Sequence, residues 1–124
     1  MKRHLKSTLL ICLILFIACN RDKEIKRLLN SNSPTEIIEG AREAGDTQNK
    51  VYVPLLLQKA NDPAASTSLR YKGFTVYTEV MFALEEIFKA KPPHAYSGIL
   101  RSPDPANINF YNDLWRKNIK NKAH

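Results

Sequence analysis

Cysteine is scarce in this 124-residue chain: the two present, Cys12 and Cys19, both fall within the first nineteen residues. No disulfide can therefore staple the remainder, which must hold together by packing alone. Glycine is also sparse, and Gly40, Gly45, Gly73 and Gly98 are isolated. No glycine-rich loop exists to cradle a phosphate. Beyond residue 18 the only histidines are His94 and His124. There is no Gly-x-Ser-x-Gly elbow and no His-Glu-x-x-His pair, so neither a hydrolase nucleophile nor a zinc helix is written here. Glu85-Glu86 are adjacent and point about 100° apart around a helix, which suits neither acid–base work nor a metal. The chain is also short of long apolar runs. The longest, Leu9 to Ala18, is about half the ~20 residues that a permanent membrane span needs.

What the chain does have is positive charge and helical periodicity. Its formal charge is +7; setting aside Lys2, Arg3 and Lys6 takes three off and leaves +4. That balance makes contact with acidic surfaces feasible, although a well-solvated surface is its commonest meaning. The length allows one domain, which would bury roughly two thirds of its unfolded surface.

Lys2, Arg3 and Lys6 followed by the apolar run form a charged n-region and a short h-region, the pattern of an export signal. Phe16-Ile17-Ala18-Cys19 then resembles the lipobox of bacterial lipoproteins, with Phe16 where that family usually carries leucine. The resemblance implies cleavage before Cys19, lipidation of Cys19, and a chain held on the bacterial cell membrane or outer membrane, outside the cytoplasm. Several acyl chains, at about 0.8 kcal/mol per buried methylene, anchor such a protein firmly. The competing reading is an ordinary signal or uncleaved anchor with Cys19 incidental. This divides the chain into a signal peptide (1–18), a tether or short helix (19–32) and a helical domain (33–124).

The tether segment, Asn20 to Asn32, contains a small periodic core of Ile25, Leu28 and Leu29. Ser33-Pro34-Thr35-Glu36 predicts a helix start, with Ser33 capping, Pro34 in the first turn and Glu36 reaching back to the Ser33 amide. Ile37, Ile38, Ala41 and Ala44 make the buried stripe, and Gly45 is expected to end the helix in a left-handed cap. Glu36, Glu39 and Glu43 share the opposite face with Arg42, as expected of a solvated surface. Val51 to Ala60 predicts a second helix with Pro54 in its first turn, closed by Asn61-Asp62-Pro63. The longest periodic run is Phe74 to Lys89, where Phe74, Tyr77, Val80, Met81, Leu84, Ile87 and Phe88 fall on one stripe, widened by Val76 and Phe82. This helix organises the rest.

The run Tyr52-Val53-Pro54-Leu55-Leu56-Leu57-Gln58-Lys59-Ala60-Asn61-Asp62-Pro63 resembles the second helix and exit turn of a HEAT repeat, with Ala41, Ala44 and Gly45 matching small residues at the end of the first helix. The resemblance covers Pro34 to Phe88. It implies a short HEAT-like helical-hairpin array and, by analogy, a scaffold that binds other proteins. Solenoids usually need three or more repeats, so the C-terminal segment or a partner would have to close this one.

Lys91-Pro92-Pro93 stops the long helix. His94 to Pro103 reads as a loop, pinned to the body by Tyr96, Ile99 and Leu100. Asp104-Pro105 opens a last helix with Ile108, Tyr111, Leu114 or Trp115, and Asn118 on its stripe and Phe110 beside it. Trp115 is either an end-cap of the core or, with Tyr111 one turn away, an exposed binding pair. Arg70, Tyr71 and Lys72 beside Gly73 form a second candidate recognition edge. The tail from Arg116 carries Lys117, Lys120 and Lys122, a solvated end or a contact for anionic lipid or wall polymer.

The expectation is an all-α protein of about four to five helices, lipidated at Cys19, with Arg70, Tyr71, Lys72, Tyr111 and Trp115 as candidate partner-binding residues. No catalytic residue, metal or cofactor is assigned. The partners expected are the membrane, through the lipid, and an unidentified protein; nucleic acid is set aside because of the compartment. A small envelope enzyme or accessory subunit, and a structural protein that grips anionic polymer or lipid, are the alternatives.

Overall fold

The computed structural model describes residues 2–123; Met1, His124 and the side chains of residues 2, 3 and 5 lie outside it. Among the described residues the protein is all-helical. Its five α-helices are α1 (Lys2–Leu29), α2 (Pro34–Thr47), α3 (Val53–Lys59), α4 (Val76–Phe88) and α5 (Pro105–Lys122), with 3₁₀ turns at Lys50–Tyr52 and Leu69–Tyr71. An isolated antiparallel bridge joins Ala65 to Thr75.

The core follows the predicted stripes, except that α4 begins only at Val76, after its cap Thr75, and leaves Phe74 outside the helix and half-buried. Ile37, Ile38, Ala41 and Ala44 of α2 and Tyr77, Val80, Met81, Leu84 and Ile87 of α4 are buried. Each such large side chain taken from water contributes about 2 kcal/mol. α2 is the central helix, with its most extensive packing on α4 and then on α1. It runs antiparallel to α1, so that Arg27 reaches Glu36 and Arg21 reaches Glu43. It runs parallel to α4, so that Arg42 meets Glu79 and Gly45 meets Ala83. The segment read as a tether or short helix is helical and continuous with the apolar run before it. Ile25, Leu28 and Leu29 are buried in the body.

Local sequence sets most helix ends. Ser33 Oγ accepts from the Glu36 amide and Pro34 fills the first turn. Asp104 caps α5 through the Ala106 amide, again with proline next. Thr75 caps α4 through the Thr78 amide at 3.2 Å. Two expectations at α2 are corrected. Glu36 does not reach back to the Ser33 amide; its carboxylate accepts from Ser31 Oγ at 3.0 Å, and that hydroxyl accepts from the Ser33 amide. The capping box is closed through an intervening serine. Gly45 does not end α2 either. The helix continues to Thr47, and Gln48 takes the left-handed position with φ 55°.

In the C-terminal connection only Tyr96 is buried, whereas Ile99 and Leu100 are 72% and 67% exposed. The expected pinning by Ile99 and Leu100 side chains is therefore replaced by a backbone bond, Leu100 N–H to Gly73 C=O at 2.8 Å. Gly73 has φ +84°, and a Cβ there would meet Ile99 Cγ2 at 2.5 Å. Only glycine fits both the backbone and the space.

Candidate functional site

Cys19 lies on the exposed surface of α1, at the boundary between two unlike halves of that helix. On its N-terminal side Leu9, Leu10, Ile11, Leu13, Ile14, Leu15, Phe16 and Ile17 are all more than half exposed. Of these apolar residues Leu15 borders the body, lining a hollow with Thr47, Asn49 and Tyr52, and none of the eight is buried. The run from Leu9 to Ala18 rises about 15 Å, and among the described residues no helix is long and apolar enough to cross a membrane. On the C-terminal side the protein core begins almost at once. Asp22 accepts a 2.8 Å hydrogen bond from the Tyr52 hydroxyl, and Ile25 is buried. A hollow of about 510 Å³ lies beside Cys19, with Asp22 on α1, Thr47 at the end of α2, and Asn49 and Tyr52 on the α2–α3 turn among its walls. Tyr52 is itself buried, and burial together with the bond to Asp22 pushes its phenol up to about 12. The bonds from Tyr52 and Lys26 hold Asp22 below the usual carboxylate range.

The candidate edge at Arg70, Tyr71 and Lys72 is only partly a surface. Arg70 and Lys72 are exposed, but Tyr71 is buried. Its ring carries two guanidinium groups, Arg42 at 4.9 Å and Arg70 at 5.3 Å from the centroid. Tyr71 is thus a platform that orients cations. Arg42 continues from the ring to the carboxylate of Glu79, whose side chain is 3% exposed.

Beside Arg42, α2 and α4 form a shallow hollow of about 380 Å³. Its floor is the small residues Ala41, Gly45 and Ala83, Phe74 and Phe82 flank it, and Asp46 and Glu86 are charged members of its lining. Phe82, expected to widen the buried stripe of α4, is 39% exposed and meets Tyr96 edge-on. Two of the three small residues that matched a repeat signature in sequence, Ala41 and Gly45, here line a groove, while Ala44 is buried in the core.

Tyr111 and Trp115 are not an exposed pair. Tyr111 is fully buried, donates its hydroxyl to the Ala90 carbonyl at 2.9 Å and stacks on Phe88. Burial pushes its phenol upward. Trp115 is half-buried against the same core, as are Leu114 and Ile108. The pair belongs to the packing of α5 on the body.

His94 and Glu85, the residues on which a catalytic alternative would rest, both have structural occupations. The His94 ring lies 2.7 Å from Asp104, the cap of α5. Glu85 accepts the hydroxyl of buried Tyr96, whose ionisation is pushed upward by burial first and by that bond second. Among the described residues no group of three or more potential metal ligands comes together. The acidic face of α2 is divided among ion pairs: Glu36 and Glu43 answer arginines of α1, and Arg42 answers Glu79.

Sequence reasoning passed over Asn107, which is fully buried. Its amide donates to the Tyr77 hydroxyl and to the His94 carbonyl, both at 3.0 Å, and its oxygen accepts from the His94 amide at 2.9 Å. Asn107 lies four residues before Tyr111, on the same helix stripe. A polar residue at that position was the available signal.

Compared with family models, curated proteins and solved structures, the chain has no match.

Proposed function

We propose that the protein is a bacterial lipoprotein, anchored through Cys19 on the outer side of a cell-envelope membrane, whose helical body is a non-catalytic interaction module. One observation carries the reading: the bare apolar stretch of α1 stops at Cys19, and within six residues the same helix is buried in the body at Ile25. Acyl chains at Cys19 would enter the bilayer while the body stays in water, and loss of residues 1–18 would remove the exposed apolar surface of residues 9–17.

The reading includes a short α-solenoid of HEAT type, supported by the motif from Tyr52 to Pro63 and by the small residues Ala41, Ala44 and Gly45 near the end of α2. Its protein-facing surfaces would be the hollow between α2 and α4, with Phe82 at the rim, and the cationic ledge of Arg70 and Lys72 held up by Tyr71. No chemistry is assigned to His94 or Glu85, because helix capping and loop fastening account for both.

Intact mass of the membrane-extracted protein tests the anchor, with a Cys19→Ala variant alongside. The expected result is loss of residues 1–18 with added acyl mass, absent from the variant. A full-length chain carrying no acyl group rejects the lipoprotein reading.

A further inference from the structure

We propose that the end of the body nearest Cys19 is itself a membrane contact, a basic and apolar face that lies on anionic phospholipid headgroups. The proposal rests on the lipid-anchor reading and adds to it an orientation for the body. Three separate segments converge on this end. Cys19 and Asp22 share a hollow with Thr47 at the end of α2 and with Asn49 and Tyr52 of the α2–α3 turn. The next residue of that turn, Lys50, donates to Asn118 Oδ1 of α5 at 3.2 Å. The second half of α5 is thereby fastened to the end from which the anchor leaves.

The chemistry of the face matches an anionic bilayer. Lys117, Lys120 and Lys122 of α5, Lys50 of the turn and Lys23 of α1 are exposed. None of the five forms an ion pair among the described residues. Most of the nearby acids are already answered: Glu43 by Arg21, Asp22 by Lys26 and Asp113 by Arg116, while Asp46 is exposed and in no ion pair among the described residues. Between the lysines, Val51 and Ile119 are 51% and 50% exposed, apolar side chains at the depth where headgroups meet acyl chains. Distance decides whether such charges matter, because the surface potential fades within about 10 Å. Asp22, already bonded to the body, is three residues from Cys19, a rise of about 5 Å along the helix. The anchor thus holds the lysines inside the attractive layer. It also makes their binding intramolecular, so a modest contact suffices.

The test uses the full acylated protein in vesicles containing phosphatidylglycerol and in vesicles of phosphatidylcholine alone. A fluorophore is placed at Ile119→Cys and, separately, at Leu69→Cys, in a Cys12→Ser background, and quenched with neutral acrylamide. Leu69 is 90% exposed on the loop whose Ser66 bonds Thr35 at the start of α2, the opposite end of that helix. The expected result is severalfold weaker quenching at position 119 on phosphatidylglycerol than on phosphatidylcholine, reversed by Lys117→Gln, Lys120→Gln and Lys122→Gln together, with position 69 unchanged. Equal quenching on both lipids in a chain that carries acyl mass overturns the contact and leaves the anchor standing.

Flotation of the unacylated Cys19→Ser chain separates the two ideas. Its preference for phosphatidylglycerol over phosphatidylcholine should fall about fivefold for each lysine neutralised. That result in a chain whose wild type proves unacylated supports the face and rejects the anchor. Lysine-dependent binding to soluble polyphosphate, with no preference between the two vesicle types, assigns the lysines to a wall polymer and overturns the membrane contact.

Discussion

Gly45 and Ala83 bring α2 and α4 together at backbone distance: a Cβ on Gly45 would stand 3.0 Å from Ala83 Cα and 3.3 Å from its Cβ. The obstruction is backbone, so it cannot swing aside. Two effects compete in Gly45→Ala. Helix propensity favours alanine by about 1 kcal/mol, while overpacking a fitted interface costs about 1–3 kcal/mol. The net expectation is a loss of about 1 kcal/mol, rising to about 3 kcal/mol for Gly45→Val, measured by urea unfolding. Wild-type stability in Gly45→Ala would mean that α2 and α4 are not this close.

Asn107 carries the second prediction. Its amide is the one group that ties the Tyr77 hydroxyl on α4 to both backbone polar atoms of His94. Asn107→Ala leaves the buried Tyr77 hydroxyl without this bond and frees the His94 backbone, at a cost of about 1–3 kcal/mol. The connection between α4 and α5 should loosen before the rest unfolds, so cleavage by a protease should begin between Lys91 and Arg101. Unchanged protection there would show that the prolines alone hold the loop.

The helix starts were legible because they are written locally. Ser33-Pro34 and Asp104-Pro105 each place a capping oxygen and a proline in adjacent positions, and both are helix starts in the fold. The stripes of α2 and α4 were equally readable, since periodicity is a property of a single segment. Gly45 was misread because a glycine near a helix end has two uses, a left-handed turn or a close approach, and the second depends on Ala83, 38 residues away. Tyr71 and Tyr111 were offered as binding residues for a similar reason. Tyr71 stands between Arg70 and Lys72 and Tyr111 one turn from Trp115, and each looks exposed until its neighbours in space are known; here those are guanidinium groups and a carbonyl. The hollow between α2 and α4 has no sequence signature of its own, because two helices build it. The lipobox is a feature of the sequence alone, carried by Phe16-Ile17-Ala18-Cys19.

The Tyr52–Asp22 bond ties the α2–α3 turn to α1 just beyond Cys19, and its pH limits follow from both partners. Asp22 titrates below its ordinary 3.8, so its contribution is present above that pH and is lost as pH falls through the lowered value. Tyr52 titrates at about 12 rather than 10.0, so its contribution is complete below pH 10 and is lost as pH rises toward 12. Stability should therefore be flat with respect to this bond between about pH 4 and 10. Tyr52→Phe should lower it by about 1 kcal/mol on that plateau and remove a phenol that ionises near pH 12 in an absorbance titration. A Tyr52 that ionises near pH 10 would show that the phenol is hydrated and the bond unmade.

Arg42 and Glu79 give the most discriminating prediction, because one partner is far more buried than the other. The Glu79 side chain is 3% exposed and that of Arg42 is 44% exposed, so removing the arginine leaves a carboxylate that water reaches poorly. Breaking a wholly buried pair costs about 3–5 kcal/mol; here the open hollow admits some water, and Arg42→Ala should cost about 2 kcal/mol. Part of that loss would also come from the Tyr71 ring, which Arg42 covers at 4.9 Å. The two causes separate in the double variant. Neutralising the stranded group with Glu79→Gln should recover at least half of the loss in urea unfolding, whereas Arg42→Lys, which keeps the charge without the planar stack, should fall between wild type and Arg42→Ala. A double variant no more stable than Arg42→Ala would assign the whole effect to the stacked ring, and Glu79 would then need another source of compensation inside the fold.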